Sequence, residues 1–127
     1  VINFHNVWDL DLAGGLVHIV ATGGRTISDI TIKDIRVDKV RAPSIAVIMN
    51  IRAGYNIYGT GIVRNVTVEN FSYASPVLPK GYIGVKEPGG IVENITFKNL
   101  TVEGKKVTSE NFLKYFNLVD TPLPTIS

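Results

Sequence analysis

The sequence predicts an all-β protein: a right-handed parallel β-helix, a single-stranded solenoid of about four coils that forms part of a longer solenoid. Three observations carry this expectation. A strand–corner–strand motif occurs four times. An Asn or Asp stands at every corner. Apolar positions keep the same parity when counted from the corners of the first three coils, as the inward face of a stack of strands must.

The motif is clearest in Ile91-Val-Glu-Asn-Ile-Thr-Phe-Lys-Asn-Leu-Thr-Val-Glu-Gly104. Ile95 and Phe97 alternate with polar residues, the period of a half-buried strand. The next apolar residues are Leu100 and Val102, so the alternation breaks once, at Lys98-Asn99. Asn tolerates left-handed backbone angles and bonds its own backbone, which suits a tight corner. The same pattern places Asp34 at the corner of Ile30–Val37, Asn70 at that of Val66–Tyr73 and Asn6 at that of Ile2–Asp9. The separations are 34 − 6 = 28, 70 − 34 = 36 and 99 − 70 = 29 residues. A second Asx column, Asp29, Asn65 and Asn94, precedes the motifs.

Each motif leads to a third strand. Counting +11, +13 and +15 from the corners gives Val17, Ile19 and Ala21, then Ile45, Val47 and Met49, then Gly81, Ile83 and Val85. All are apolar or Gly, and form the expected inner face. The alternating outer positions are Leu16, His18 and Val20, then Ala46, Ile48 and Asn50, then Tyr82, Gly84 and Lys86. The rule fails in the fourth coil, where Glu110 falls at +11 and Lys114 at +15. Ile51–Gly61 is read as a loop that lengthens the second coil. Inward residues are expected to stack like on like: Ile2, Ile30, Val66 and Ile95, then Phe4, Ile32, Val68 and Phe97. The Asx corners are expected to form a ladder of side-chain amides along the axis. Residues 1–119 are thus read as coils and 120–127, with Pro122 and Pro124, as a C-terminal tail.

Composition agrees. The chain has 127 residues, 45% of them hydrophobic and 19% charged, enough to fill one core without disorder. A net charge of +2 with interspersed signs gives no basic run, so neither nucleic acid nor membrane is expected as a partner. No apolar stretch approaches the roughly 18 residues of a membrane span. There is no Cys, hence no disulfide framework. The sequence opens inside a repeat without Met, which predicts a processed product or fragment whose open edge pairs with an upstream β-helix segment, in the same precursor or a separate chain.

Asp29-Ile-Thr-Ile-Lys-Asp-Ile-Arg-Val, Asn65-Val-Thr-Val-Glu-Asn-Phe and Asn94-Ile-Thr-Phe-Lys-Asn-Leu-Thr-Val-Glu-Gly-Lys-Lys-Val resemble the C-terminal coils of right-handed parallel β-helix carbohydrate enzymes. Polygalacturonase-type and dextranase-like glycoside hydrolases are the most similar. The resemblance spans nearly the whole chain. It implies a pectin lyase-like fold, an extracellular or secreted protein, and a polysaccharide or oligosaccharide as partner. The catalytic signatures of polygalacturonases do not occur: there is no Asp-Asp and no Arg-Ile-Lys, and His5 and His18 follow Phe4 and Val17 rather than Gly. The resemblance therefore implies the C-terminal segment of a polysaccharide hydrolase, completing the fold and the end of the sugar groove, with its catalytic acids upstream. A non-catalytic carbohydrate-binding or structural, tailspike-like solenoid is the alternative.

Several residues are candidates for chemistry. Asp9 and Asp11 lie two apart, on one strand face, as a glycosidase acid–base pair would. The same carboxylates suit Ca²⁺, or a solvated face behind a bulge. No metal site and no cofactor are assigned. His18, Asn50, Tyr82 and Lys86 fall on the outer face of the third strand, which lines the substrate groove in the resembling family. Tyr55 and Tyr58 sit in the longest loop, where aromatics either stack on sugar rings or pin the loop. Arg52, in that loop, suits a carboxylate partner. Asn65, Asn70, Asn94 and Asn99 match glycosylation sequons, but as ladder members their side chains are expected to be already bonded and buried.

Overall fold

The computed structural model describes residues 2–3, 15–40, 47–77 and 79–127. Asn6, Asp9, Asp11 and Ile45 lie outside them. The described residues form a nearly all-β parallel solenoid of about three turns, and much of the first coil expected from the sequence lies outside them.

Two parallel sheets make up the solenoid. The long sheet contains β1 (Ile2–Asn3), β3 (Thr26–Val37), β5 (Ile62–Tyr73), β7 (Ile91–Val102) and β10 (Thr125–Ile126), in that spatial order. The short sheet contains β2 (Val17–Ala21), β4 (Met49–Ala53), β6 (Gly81–Val85) and β9 (Phe116–Val119). A two-residue strand, β8 (Lys105–Lys106), folds back antiparallel on β7. A single helical turn, α1 (Phe112–Tyr115), precedes β9. No described helix is long and apolar enough to cross a membrane.

The 12-residue strands of the long sheet are bent twice, not once. Both Asx columns adopt the left-handed conformation, with φ from 53° at Asn70 to 60° at Asp29. Asn and Asp bear this backbone at less cost than other side-chain-bearing residues. Each corner then bonds to the corner of the preceding rung. Asn65 Nδ2 donates to Asp29 Oδ1 at 3.0 Å and Asn94 Nδ2 to Asn65 Oδ1 at 2.6 Å. Asn70 Nδ2 donates to Asp34 Oδ1 at 3.0 Å and Asn99 Nδ2 to Asn70 Oδ1 at 2.9 Å. All four sequon asparagines are thus engaged through the nitrogen a glycan would occupy, but they are exposed rather than buried, because the corners lie on the outside of the coil.

Register follows these ladders. Ile30 pairs with Val66 and Val66 with Ile95; Ile32 pairs with Val68 and Val68 with Phe97. Val66, Val68, Ile95 and Phe97 are buried, while Ile30 and Ile32 are half-buried. The first copy departs from expectation: Ile2 lies opposite Ile35, not Ile30.

The short sheet departs more. Val17 pairs with Met49 rather than Ile45, a slip of 49 − 45 = 4 residues that keeps the inward parity. Met49, Ile51 and Ala53 therefore face the core, and Ile51–Ala53, expected as loop, is strand. Val47 is half-buried, as is Val85, whereas Ile83 is fully buried. The fourth coil resumes with Gly81 opposite Phe116 and Ile83 opposite Leu118. The β8 hairpin and α1 displace this strand from the counted offset. They also carry Phe112 and Phe116 into the core, with ring centroids 5.5 and 5.7 Å from Phe97 and 4.5 Å from each other. Within residues 120–127, β10 pairs Thr125 with Thr96 and Ile126 with Phe97, adding a rung to the long sheet.

Candidate functional site

The inner side chains of β2, β4, β6 and β9 fill the core, so the alternate ones project from the solenoid. Parallel register lines them up across strands about 4.8 Å apart. One row runs His18, Asn50, Tyr82, Asn117, and the next Val20, Arg52, Gly84, Val119. This brings His18, Asn50 and Tyr82 together as the sequence suggested. His18 and Asn117 are exposed, Tyr82 is half-buried, and Asn50 is only 8% exposed.

The rows are bordered by cation–aromatic contacts. Lys86 follows β6, and its Nζ lies 5.4 Å from the centre of the Tyr82 ring. The Tyr82 hydroxyl donates to the Val85 carbonyl at 3.0 Å. Burial raises the Tyr82 pKa; Arg52 opposes that rise and Asp120 adds to it, so both charges lie within electrostatic reach of the ring. The Arg52 guanidinium stands 4.7 Å over the Tyr55 ring, and Tyr55 stacks on Tyr58 at 6.0 Å.

The loop bearing these tyrosines is braced. Gly54 turns with φ 110°, where a Cβ would collide with Glu87. Tyr55 N–H donates to the Gly59 carbonyl, Gly23 N–H to that of Tyr58, and Gly24 N–H to that of Thr60. The bracing anchors the loop to neighbouring turns and leaves Tyr55, Ile57 and Tyr58 exposed. The loop is thus both pinned by its own aromatics and able to present them.

Three members of this face escaped the sequence reading in that role. Arg52 was placed in a loop, because the four-residue slip in β4 hid its +2 relation to Asn50. Asn117 was hidden by the insertion before β9. Asp120 reaches the face because the chain turns there, with φ 50°. The carboxylates read as a catalytic pair, Asp9 and Asp11, lie outside the described residues. Among the described residues, no three His, Cys, Asp or Glu side chains gather to hold a metal ion. The face carries aromatic surfaces, amides, a phenol, an imidazole, two cations and the nearby carboxylate of Asp120.

Fold and face together define a parallel β-solenoid protein with one polar, aromatic-edged outer sheet. No protein-family model, curated protein or solved structure matches the chain.

Proposed function

We propose that the outer face of the short sheet binds a saccharide chain, and that this solenoid is the groove-end segment of a polysaccharide-degrading β-helix protein of the glycoside hydrolase kind. The observation that carries the reading is the in-register row His18, Asn50, Tyr82 and Asn117 beside the stacked Tyr55 and Tyr58. Polar groups in a row at strand spacing suit a polymer with repeated hydroxyls. Exposed ring faces suit the apolar faces of sugars. In this reading His18, Asn50, Tyr55, Tyr58, Tyr82 and Lys86 hold sugar, and bond cleavage belongs to acids elsewhere. Those acids come from an upstream β-helix segment, on the same precursor or a second chain, and the protein works outside the cell.

A non-catalytic solenoid is the second reading, favoured by a specific observation: the two in-register outer rows of the short sheet contain no carboxylate. One experiment addresses both. The 127-residue chain is assayed for binding to, and reducing-sugar release from, dextran and pectic acid. Binding without turnover is expected. Adding an upstream β-helix segment that restores turnover separates the first reading from the second. In the complete enzyme, His18→Ala, Asn50→Ala and Lys86→Ala together raise KM with little change in kcat, as for groups that bind ground and transition states alike. Turnover by the chain alone that vanishes in an Asp9→Asn, Asp11→Asn variant would overturn the assignment and make those carboxylates the catalytic pair. No binding to either polymer would remove the saccharide face.

A further inference from the structure

The last strand of the long sheet is unlike the others. β3, β5 and β7 have 12 residues each, and β10 has two. The chain nevertheless lies along β7 throughout residues 121–127, at a constant offset. Thr121 Oγ1 donates to the Val92 carbonyl, 29 residues back, and Thr125 pairs with Thr96 at the same interval (125 − 96 = 29). That interval also separates Asn65 from Asn94 and Asn70 from Asn99, so the segment is a further rung in register.

Its chemistry does not continue the sheet. Successive residues of a strand turn their N–H and C=O to opposite neighbours. Ser127 N–H donates to the Phe97 carbonyl and the Ser127 carbonyl accepts from Asn99 N–H, so Ser127 and Thr125 face β7. Pro122, Pro124 and Ile126 therefore face the far edge, with which nothing pairs among the described residues. Proline has no N–H, so two of the three positions on that edge lack a donor. Leu123 stands where the next amide of the Asn65–Asn94 ladder would, and carries none. Pro124 is buried and Ile126 packs against the core, so the segment also closes over the core beside Phe97.

We infer that residues 121–127 are an edge guard, which keeps a second copy of this chain from adding a strand to the long sheet. They pair with β7 on one side and present a donor-poor edge on the other. A bare edge strand is a template for pairing with another chain. Proline is tolerated there because the donor it lacks faces outward. Two copies present the same edge, so they would meet antiparallel about a twofold axis, each needing donors from the other. With Ile126 the only donor among these three positions on either copy, that ladder has too few bonds to hold. The inference does not depend on what the outer face of the short sheet binds.

The test is light scattering on the 127-residue chain and on a Pro122→Val, Pro124→Val variant, which restores both donors with a residue suited to strands. At matched concentrations up to about 0.5 mM, where weak contacts register, the variant reaches about twice the mass of the unaltered chain or more. Amide exchange at Ile126 slows as the variant associates, which locates the contact at this edge. Equal masses at every concentration overturn the inference. So does association of the variant without slower exchange at Ile126, or association of the unaltered chain with it. Should the double variant lose its cooperative unfolding transition, Pro122→Val with Leu123→Asn takes its place, since both positions are exposed. It restores one donor and one ladder amide, and a mass unchanged from the unaltered chain overturns the inference.

Discussion

The long and the short sheet are built from the same chain by the same stacking, yet they differ in regularity. Both Asx columns of the long sheet advance by 36 residues and then by 29, so no insertion falls between them. Their side-chain amides are mutually bonded. The outer face repeats threonine from rung to rung at Thr31, Thr67, Thr96 and Thr125, and pairs Arg64 with Glu93 at 3.4 Å. The Tyr55–Tyr58 loop leaves the short sheet after β4 and α1 enters it before β9, while the β8 hairpin folds onto β7 of the long sheet. The short sheet also holds the unmatched Asn50 and Arg52 atoms. The long sheet holds unmatched buried atoms too, Arg64 Nε and Tyr73 Oη, so regularity rather than polar satisfaction separates the two sheets. The short sheet is the one edged by exposed aromatics, Tyr55 and Tyr58.

The sharpest test of this division is at Phe97, on the inner face of the long sheet and packed on Phe112 and Phe116 from the other side. Phe97→Ala is expected to cost about 3–5 kcal/mol in urea unfolding, through lost burial and the cavity left behind. A loss under about 1 kcal/mol would mean that the two sheets do not share a core through this ring.

A smaller effect is expected at Asn70, whose Nδ2 and Oδ1 are both in the ladder. Asn70→Ala forfeits about 0.5–1.5 kcal/mol for each ladder bond, and keeps a β-carbon in the left-handed region without the short polar side chain that makes Asn tolerant of it. Asn70→Gly removes the bonds but relieves the backbone, so the difference between the two variants isolates the corner. Neither should alter saccharide affinity in molecules that remain folded. A change in affinity would join the two regions that the comparison separates.

The smallest effect is at Tyr73, a buried side chain of the long sheet whose hydroxyl has no partner among the described residues. Tyr73→Phe is expected to be neutral within about 0.5 kcal/mol or slightly stabilising, since no hydrogen bond is lost. Burial, and secondly Glu103, raise the pKa of Tyr73 above 10.0 in the folded state. The unfolded chain therefore ionises first. The stability tied to the neutral phenol is complete below about pH 10 and declines as pH rises toward the folded value. Tyr73→Phe should flatten that alkaline decline. An unchanged slope would show that Tyr73 is not the group responsible.

Much of the architecture was legible before any coordinates. Local physics specifies the corners: Asn and Asp accept a left-handed backbone, and apolar alternation on either side says which side chains turn inward. Those signals repeat at Asp34, Asn70 and Asn99, so the long sheet and its ladder could be read directly. The second Asx column was seen but not recognised as a second corner, although Ile27, Val63 and Val92 stand two residues before it just as Ile32, Val68 and Phe97 stand before the first. Parity was legible in the short sheet; the pairing partner was not. A slip of four residues preserves every inside–outside assignment, so periodicity cannot distinguish Ile45 from Met49 opposite Val17. Only stacking of whole coils resolves it, because the longer second coil must still close onto the regular spacing of the long sheet. The same closure placed Arg52 beside Gly84, carried Asn117 into the row with Tyr82, and buried Asn50 with its carbonyl oxygen unmatched. The sequence by itself therefore determined that this chain coils and which residues turn at the corners. Which polar atoms meet on the outer face was decided by the tertiary structure, because that depends on register across coils rather than on neighbours along the chain.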